Sequence, residues 1–273
     1  MQKDFERKGY VLIPALLDSR SIDTLISLYT RYQDQYSGPF HTSHFSTDAS
    51  YKKQVHDTIV GTVFPPAEAY LNDFLPLFGN FMIKNPDPNA AMDLHADWTY
   101  VDESKFRSVS IWTPLVDTTI ENGCLGVIEG SHKITNAIRG PLIRQSTREH
   151  EPEWERRYGT LLPMKTGDAI IYDHALLHYS LPNKSSRPRP AFNLSLAPTS
   201  AAPWLHYCQP EGTNEIEEYS VIDTDFYIRY IHFQRPETGQ LIKRFPATDI
   251  KYMDERMNSF WKHKLLTKVR QFF

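Results

Sequence analysis

His95-Ala96-Asp97 and the distant His178 are the residues whose types and spacing could do chemistry in this chain. In extended backbone, positions two apart point to one face, so one imidazole and one carboxylate can converge on a single point. A second imidazole from another strand would complete three ligands on one face of an octahedron. Two His and one carboxylate, with neighbouring positions left open, is the ligand set of non-haem Fe(II) centres that activate dioxygen. Asp93 shares the parity of His95 and Asp97, so spacing alone leaves it in contention. Zinc accepts the same donor types, although no general base stands beside the motif and a zinc hydrolase would leave Arg189 unexplained. His174 precedes His178 in a segment that reads as strand turning into loop, which gives it a structural or supporting role.

Arg189 is the second chemical feature. Pro188 and Pro190 flank it, and a following proline biases a residue toward extended backbone. Arg189 then shares a face with Asn193. A guanidinium buried in a barrel is costly without an anion, and its planar fork fits a carboxylate. Arg187 and Lys184 lie in the same Ser/Pro-rich stretch and read as solvated.

Stepping outward, strands must position these groups. Val109, Ile111, Thr113 and Leu115 alternate with Ser108, Ser110, Trp112 and Pro114, which is strand spacing. Cys124 to Ile128 follows the turn Glu121-Asn122-Gly123. Ala169 to Tyr172 follows Thr166-Gly167-Asp168, and Phe192, Leu194 and Leu196 alternate with Asn193 and Ser195. Short strands between turns predict a mainly β fold with flanking helices, built on a double-stranded β-helix (jelly-roll, cupin-like) core. The expected layout is one domain over 1–273: a helical part over 1–79, a β core over about 80–200, and a C-terminal extension over 201–273. Helices are expected over 19–36, capped by Ser19, and from Pro66 to Phe74. A third is expected from Met253 to Phe272. The polar segment from 134 to 160 reads as an insertion or lid.

Composition excludes several classes. The chain of 273 residues is 40% hydrophobic and carries a formal charge of −3. That balance supports a large core and gives no footprint for nucleic acid or an anionic membrane. No apolar run is long enough to span a bilayer. The opening residues contain no apolar signal region, so a cytoplasmic location is expected, with the two cysteines, Cys124 and Cys208, reduced. Oligomeric state is not legible.

Further stretches extend the pattern: Gly9-Tyr10, His95-Ala96-Asp97-Trp98, Ser110-Ile111-Trp112, Glu121 through His132, Lys165 through Tyr172, and His178-Tyr179-Ser180 to Asn183, closing at Arg189. In this order they resemble the phytanoyl-CoA dioxygenase-like (PhyH) family of Fe(II)/2-oxoglutarate-dependent oxygenases, over roughly residues 5 to 200. One departure is Glu129, where the family usually carries proline.

The resemblance implies that His95, Asp97 and His178 ligate Fe(II). It implies that Arg189 pairs with the distal carboxylate of 2-oxoglutarate, that Ser180 shares it, and that Lys84 reaches the co-substrate with Trp112 packed beside it. Surface lysine and core aromatic are the plainer readings of those last two. The implied enzyme is a dioxygenase using O2 to hydroxylate a small-molecule substrate, with release of succinate and CO2. Relatives that halogenate carry Gly or Ala where this chain has Asp97. Desaturation, epoxidation and ring closure share the same cofactor chemistry, and a jelly-roll protein that binds metal or ligand without turnover is the alternative from another class. Trp98 and Tyr100 are pocket candidates, with Tyr172, Trp204 and His206 behind them. Arg139, Arg144 and Arg148 read as a solvated face.

Overall fold

The computed structural model describes residues 1–135, 137–143, 151–209, 215–221, 223 and 225–247. Its helices are α1 (Gln2–Lys8), α2 (Ser19–Arg31), α3 (Ala49–Ala67), α4 (Glu151–Tyr158) and the short α5 (Phe226–Arg229). Its strands are β1 (Tyr10–Ile13), β2 (Phe40–Thr42), β3 (Phe74–Lys84), β4 (Met92–His95), β5 (Val109–Pro114), β6 (Leu125–Ile128) and β7 (Gly159–Leu162). They continue with β8 (Ala169–Asp173), β9 (His178–Ser180), β10 (Arg189–Pro198), β11 (Trp204–Cys208), β12 (Glu215–Ser220) and β13 (Gln240–Pro246). A six-stranded sheet in the order β1-β8-β5-β10-β3-β2 faces a four-stranded sheet in the order β4-β9-β6-β7, and all their pairings are antiparallel. Two opposed antiparallel sheets are the expected jelly roll.

The large sheet is sorted by side-chain parity. On one face Phe192, Leu194 and Leu196 of β10, Phe81 and Ile83 of β3, and Ile111 of β5 are fully buried against α2 and α3. The α3 stripe of Tyr51, Val55, Ile59, Val63 and Ala67 recurs every fourth residue and seats there. Gly79 lets α3 come close, because a Cβ at that position would sit 2.9 Å from the Ile59 side chain. The opposite face carries Arg189, Asn193 and Ser195, with Trp112 and Tyr172 alongside. There Trp112, Ile170, Tyr172 and Ala191 pack against Leu125 and Val127 of the small sheet.

Several expectations change. The helix expected from Pro66 to Phe74 is instead α3, which Asp48 caps by accepting from the backbone N–H groups of Ser50 and Tyr51. Pro65 and Pro66 sit in its last turn, where each forgoes the N–H bond to the carbonyl four residues back, and β3 begins at Phe74. Asp18, not Ser19, caps α2, which stops at Arg31 before a 3-10 turn over Gln33–Gln35. The N-terminal part is not purely helical. Gly9, at φ 87°, turns the chain out of α1 into the edge strand β1. The stretch from 134 to 160 contributes α4. Past residue 200 stands a third sheet, β11-β12-β13, whose Leu205, Tyr207 and Tyr219 share a core with Leu77, Phe78 and Ala197. The helix expected from Met253 to Phe272 lies outside the described residues, as do Arg144 and Arg148.

Candidate metal centre

Strand β4 pairs with β9 so that His95 and His178 lie directly opposite each other. Asp97 follows just beyond the end of β4. The ring Nδ1 of His95 is 2.7 Å from the Asp93 carbonyl oxygen, and that of His178 is 2.9 Å from the Leu176 carbonyl. A carbonyl can only accept, so each Nδ1 carries the proton and each Nε2 presents its lone pair. Those Nε2 atoms lie 3.9 Å and 3.7 Å from Asp97 Oδ1. The three donor atoms fall within 4.8 Å of one another, the right scale for one ion between them. Asp93 is exposed and contributes its carbonyl, not its carboxylate, to this arrangement.

The large sheet orients the carboxylate. Tyr172 donates its hydroxyl to Asp97 Oδ2 at 3.0 Å, with Ser110 Oγ further off at 3.4 Å. Burial pushes the Asp97 carboxyl up, yet the neighbouring imidazoles of His178, His174 and His95 and the Tyr172 hydrogen bond bring it below the usual range. Burial, then the nearby His95, holds His178 down at about 4, so it is neutral and able to ligate. His174 is a support, with its two ring nitrogens on Ser108 and Ser110.

Arg139, read from sequence as solvated, is fully buried. Its Nε donates to the Asp97 main-chain carbonyl, and its Nη atoms bond Glu103 and the Ala137 carbonyl. Thr99 and Arg139 also pair through their backbones, so this arginine ties the segment after β4 in place. No sequence signal marked it. Tyr172 was named from the sequence as a pocket candidate, although its bond to Asp97 was not legible.

Arg189 is 2% exposed, lies over the Trp112 ring at 5.3 Å, and has no partner for Nε or Nη1. Lys84 stands opposite it in the β3–β10 register. Lys84 is fully buried, which overturns the surface reading, and its ammonium donates to the carbonyls of Ala90, Ser180 and Leu181. Those three bonds use its three donors, so it braces strands here rather than offering a free N–H to a co-substrate. Burial, reinforced by Arg189, pulls Lys84 down from the usual lysine range, while the three carbonyls hold it as the ammonium, and burial pulls Arg189 to about 10. Ser180 lies on β9, two residues past His178. Arg187 is exposed as read, and Glu129 accepts from the Tyr10 hydroxyl, tying its loop to β1.

A cavity of about 200 Å³ opens onto the triad. Trp98, Tyr100 and Tyr172 line it, as expected. His206 does not, being buried in an ion pair with Glu218, and Trp204 lies on β11 away from it. Phe40 of β2, His44 and Phe45 of the 3-10 turn that follows it, and His232 also line it, from segments that carried no sequence signal.

A family model described as phytanoyl-CoA dioxygenase (PhyH) matches residues 5–191. A Dictyostelium discoideum phytanoyl-CoA dioxygenase domain-containing protein 1 homolog is 30% identical over 155 residues, 53% of this chain and 52% of the relative. Phytanoyl-CoA dioxygenase 1 of Oryza sativa subsp. japonica is 29% identical over 128 residues, 45% of each chain. The chain thus spans about half the length of the curated relatives it matches. Among solved structures, the non-haem α-ketoglutarate-dependent carbocyclase SnoK from nogalamycin biosynthesis superposes with TM-score 0.58 at 16% identity, covering 74% of this chain and 84% of that one. EvdO2 from Micromonospora carbonacea var. aurantiaca, complexed with 2-oxoglutarate, gives 0.56 at 21% identity, covering 77% and 93%. At these identities the structural likeness speaks for the fold.

Proposed function

The chain belongs to the phytanoyl-CoA dioxygenase family, and from that premise we propose that it is an Fe(II)/2-oxoglutarate-dependent dioxygenase that hydroxylates a C–H bond of a small molecule. The observation that carries this reading is a pair of incomplete sites, one on each of the two facing sheets: three converging metal donors, and a buried guanidinium with two idle donor atoms. A carboxylate beside Arg189 would satisfy the guanidinium, and a chelating keto acid has the right chemistry to join that site to the metal.

His95, Asp97 and His178 would hold Fe(II) by Nε2, a carboxylate oxygen and Nε2, leaving its other positions for 2-oxoglutarate and O2. Arg189 would take the distal carboxylate, with Trp112 as a flat wall under the guanidinium and the Ser180 hydroxyl as a second donor. Lys84 is assigned to positioning, since its donors are spent on the carbonyls of Ser180 and its neighbours. When bound, the metal and co-substrate supply the oxidising power, with succinate and CO2 as by-products. Tyr172 and Arg139 hold Asp97 by its carboxylate and its carbonyl, so the ligand keeps one rotamer. The presence of Asp97, rather than a residue without a donor, favours hydroxylation over halogenation. The apolar walls limit water around the reacting centre.

The test is anaerobic. Fe(II) and 2-oxoglutarate added to the purified protein should give a weak visible metal-to-ligand charge-transfer band. The band should vanish in His178→Ala and need far more co-substrate in Arg189→Ala. Absence of the band in the iron-loaded wild type would overturn the proposal.

A further inference from the structure

The substrate class can be read from the cavity wall, an inference that rests on the dioxygenase reading above. Among the described lining residues, Asp97 is the one charged side chain, and it is committed to the metal donors. The remaining polar lining is neutral: hydroxyls and amides from Thr42, Asn80, Asn193 and Ser195, and the rings of His44 and His232. Among the described residues, no Lys or Arg lines the cavity. Lys52, buried close by, gives its ammonium to the Tyr230 carbonyl at 2.7 Å. With the metal's open positions given to 2-oxoglutarate and O2, a carboxylate or phosphate on the substrate would lose its hydration and meet no cationic side chain among the described lining residues.

The walls are ring-shaped slots. His44 stacks on Phe78 at 4.8 Å, and Trp98 stacks on His232 at 4.9 Å. His44 and His232 meet edge to face at 5.1 Å. Phe45 lines the cavity and Phe233 packs against it; they are 47% and 53% exposed, unusual for phenylalanine, with ring centroids 5.9 Å apart. Phe233 is held at φ 63°, a left-handed conformation that a bulky side chain rarely adopts. Strain of this kind gathers where a ligand is met.

Two imidazole nitrogens complete the picture. His44 is 7% exposed, and its Nε2 has no hydrogen-bond partner; His232 Nδ1 is likewise buried and unpartnered. Burial drives both rings to the neutral form, His232 to about 4 and His44 well below its ordinary value. A neutral imidazole can accept from a hydroxyl or donate to a carbonyl, depending on which nitrogen carries the proton. Buried polar atoms left without partners are uncommon in folded proteins, and two on adjacent rings in one cavity wall mark a place where a ligand group belongs.

We propose that the substrate is an uncharged, ring-bearing molecule that enters past Phe45, packs against Trp98 and Phe78, and has a hydroxyl or carbonyl group read by His44 and His232. The carbon to be oxidised then lies on the side of the ring system facing His95 and His178.

Four naphthalene probes test this by calorimetry on the anaerobic protein loaded with Fe(II) and 2-oxoglutarate: 2-naphthol, naphthalene, 2-naphthoate and the 2-naphthylmethylammonium ion. Expected is measurable 2-naphthol binding, with the two ions at least about 10-fold weaker. His44→Phe and His232→Phe should each weaken 2-naphthol by about 3- to 10-fold, the range for one lost hydrogen bond, while leaving naphthalene binding and the charge-transfer band unchanged. Equal or tighter binding of either ion, no binding of 2-naphthol, or equal losses for naphthol and naphthalene in both variants would overturn the proposal. Loss of the band in wild type would instead sink the dioxygenase reading, and the same titrations on unloaded protein would still judge the cavity.

Discussion

The two faces of strand β10 differ in whether the protein finishes its own interactions. On the helix side Phe192, Leu194 and Leu196 are fully buried among aliphatic and aromatic neighbours. On the site side Arg189 is almost as buried, yet two of its nitrogen atoms have no partner. The two buried arginines make the same contrast. Arg139 is closed by Glu103 and two carbonyls, whereas Arg189 lies over an aromatic ring with Nε and Nη1 unpartnered among the described residues. Packing the first face yields stability that needs no ligand. Keeping the second face open costs stability that a bound anion can return. One strand therefore divides structural from chemical work by parity alone.

The sharpest way to break this division is Phe192→Ala. Truncating a buried phenylalanine should cost about 3–5 kcal/mol, measured by urea unfolding. If the faces are separable, co-substrate affinity of the folded protein should stay within about 2-fold of wild type at low temperature. A large loss of affinity would show that the site face depends on fine packing behind it.

Arg189→Met is the complementary change. It should weaken 2-oxoglutarate by about 100-fold, or ~3 kcal/mol, the range for losing one member of a buried charged pair. The ligand-free variant should unfold at the same or a higher urea concentration, because an unpaired buried cation has been replaced by an apolar chain. Destabilisation of the ligand-free form would mean that the stacking on Trp112 already closes Arg189, and the contrast with Arg139 would fall.

Parity also explains what was legible in the sequence. The alternations in β5, β8 and β10 are visible because each strand has one buried apolar face and one face of mixed character. The candidate metal donors were visible through their context, since a His-x-Asp triplet alone is common by chance, and Arg189 because its flanking prolines set its backbone. Lys84 and Arg139 were hidden. A lysine bracing three carbonyls and an arginine holding Asp97 look in sequence like any surface cation, since their role depends on loops that fold back from elsewhere. The α3 helix was missed because its prolines fall at the C-terminal end, where each forgoes a bond to the preceding turn, rather than at the start, where no bond is lost and prolines are commoner. The cavity's His44 and His232 come from segments far apart in the chain, and no local period connects them.

Asp173 sharpens the comparison through pH. It ends β8 next to the site, and its Oδ2 has no hydrogen-bond partner, while Arg107 stays 3.9 Å away and half exposed. Burial raises it to about 6. An unfolded aspartate titrates near 4, so between those values the folded state binds more protons. Stability should therefore fall as pH rises from about 4 to about 6 and level off above, by up to about 3 kcal/mol. Asp173→Asn keeps the acceptor for the Ala175 N–H and should remove that fall. Urea midpoints should coincide near pH 3.5 and separate in favour of the variant at pH 7. Parallel curves across the range would show that Arg107 already neutralises the carboxylate.

The smallest expected effect concerns Tyr172, which belongs to the site face by parity but touches the metal only through Asp97. Its hydroxyl holds Oδ2 at 3.0 Å while Oδ1 faces the imidazoles. Tyr172→Phe keeps the ring against Trp112 and Ile170, so the fold should not weaken by more than about 1 kcal/mol. Losing a group that orients a metal ligand should lower Fe(II) affinity by about 10- to 100-fold, read by competition with a chelator under anaerobic conditions. Ser110 Oγ is 3.4 Å from the same oxygen, a weaker contact, so Ser110→Ala should lower affinity less than Tyr172→Phe. If the two variants lose equally, the carboxylate is steered by the whole hydroxyl network of Ser110, Tyr172 and Asn193. If neither loses, Arg139 alone fixes Asp97 through its carbonyl, and the second face is more rigid than its open hydrogen bonds suggest.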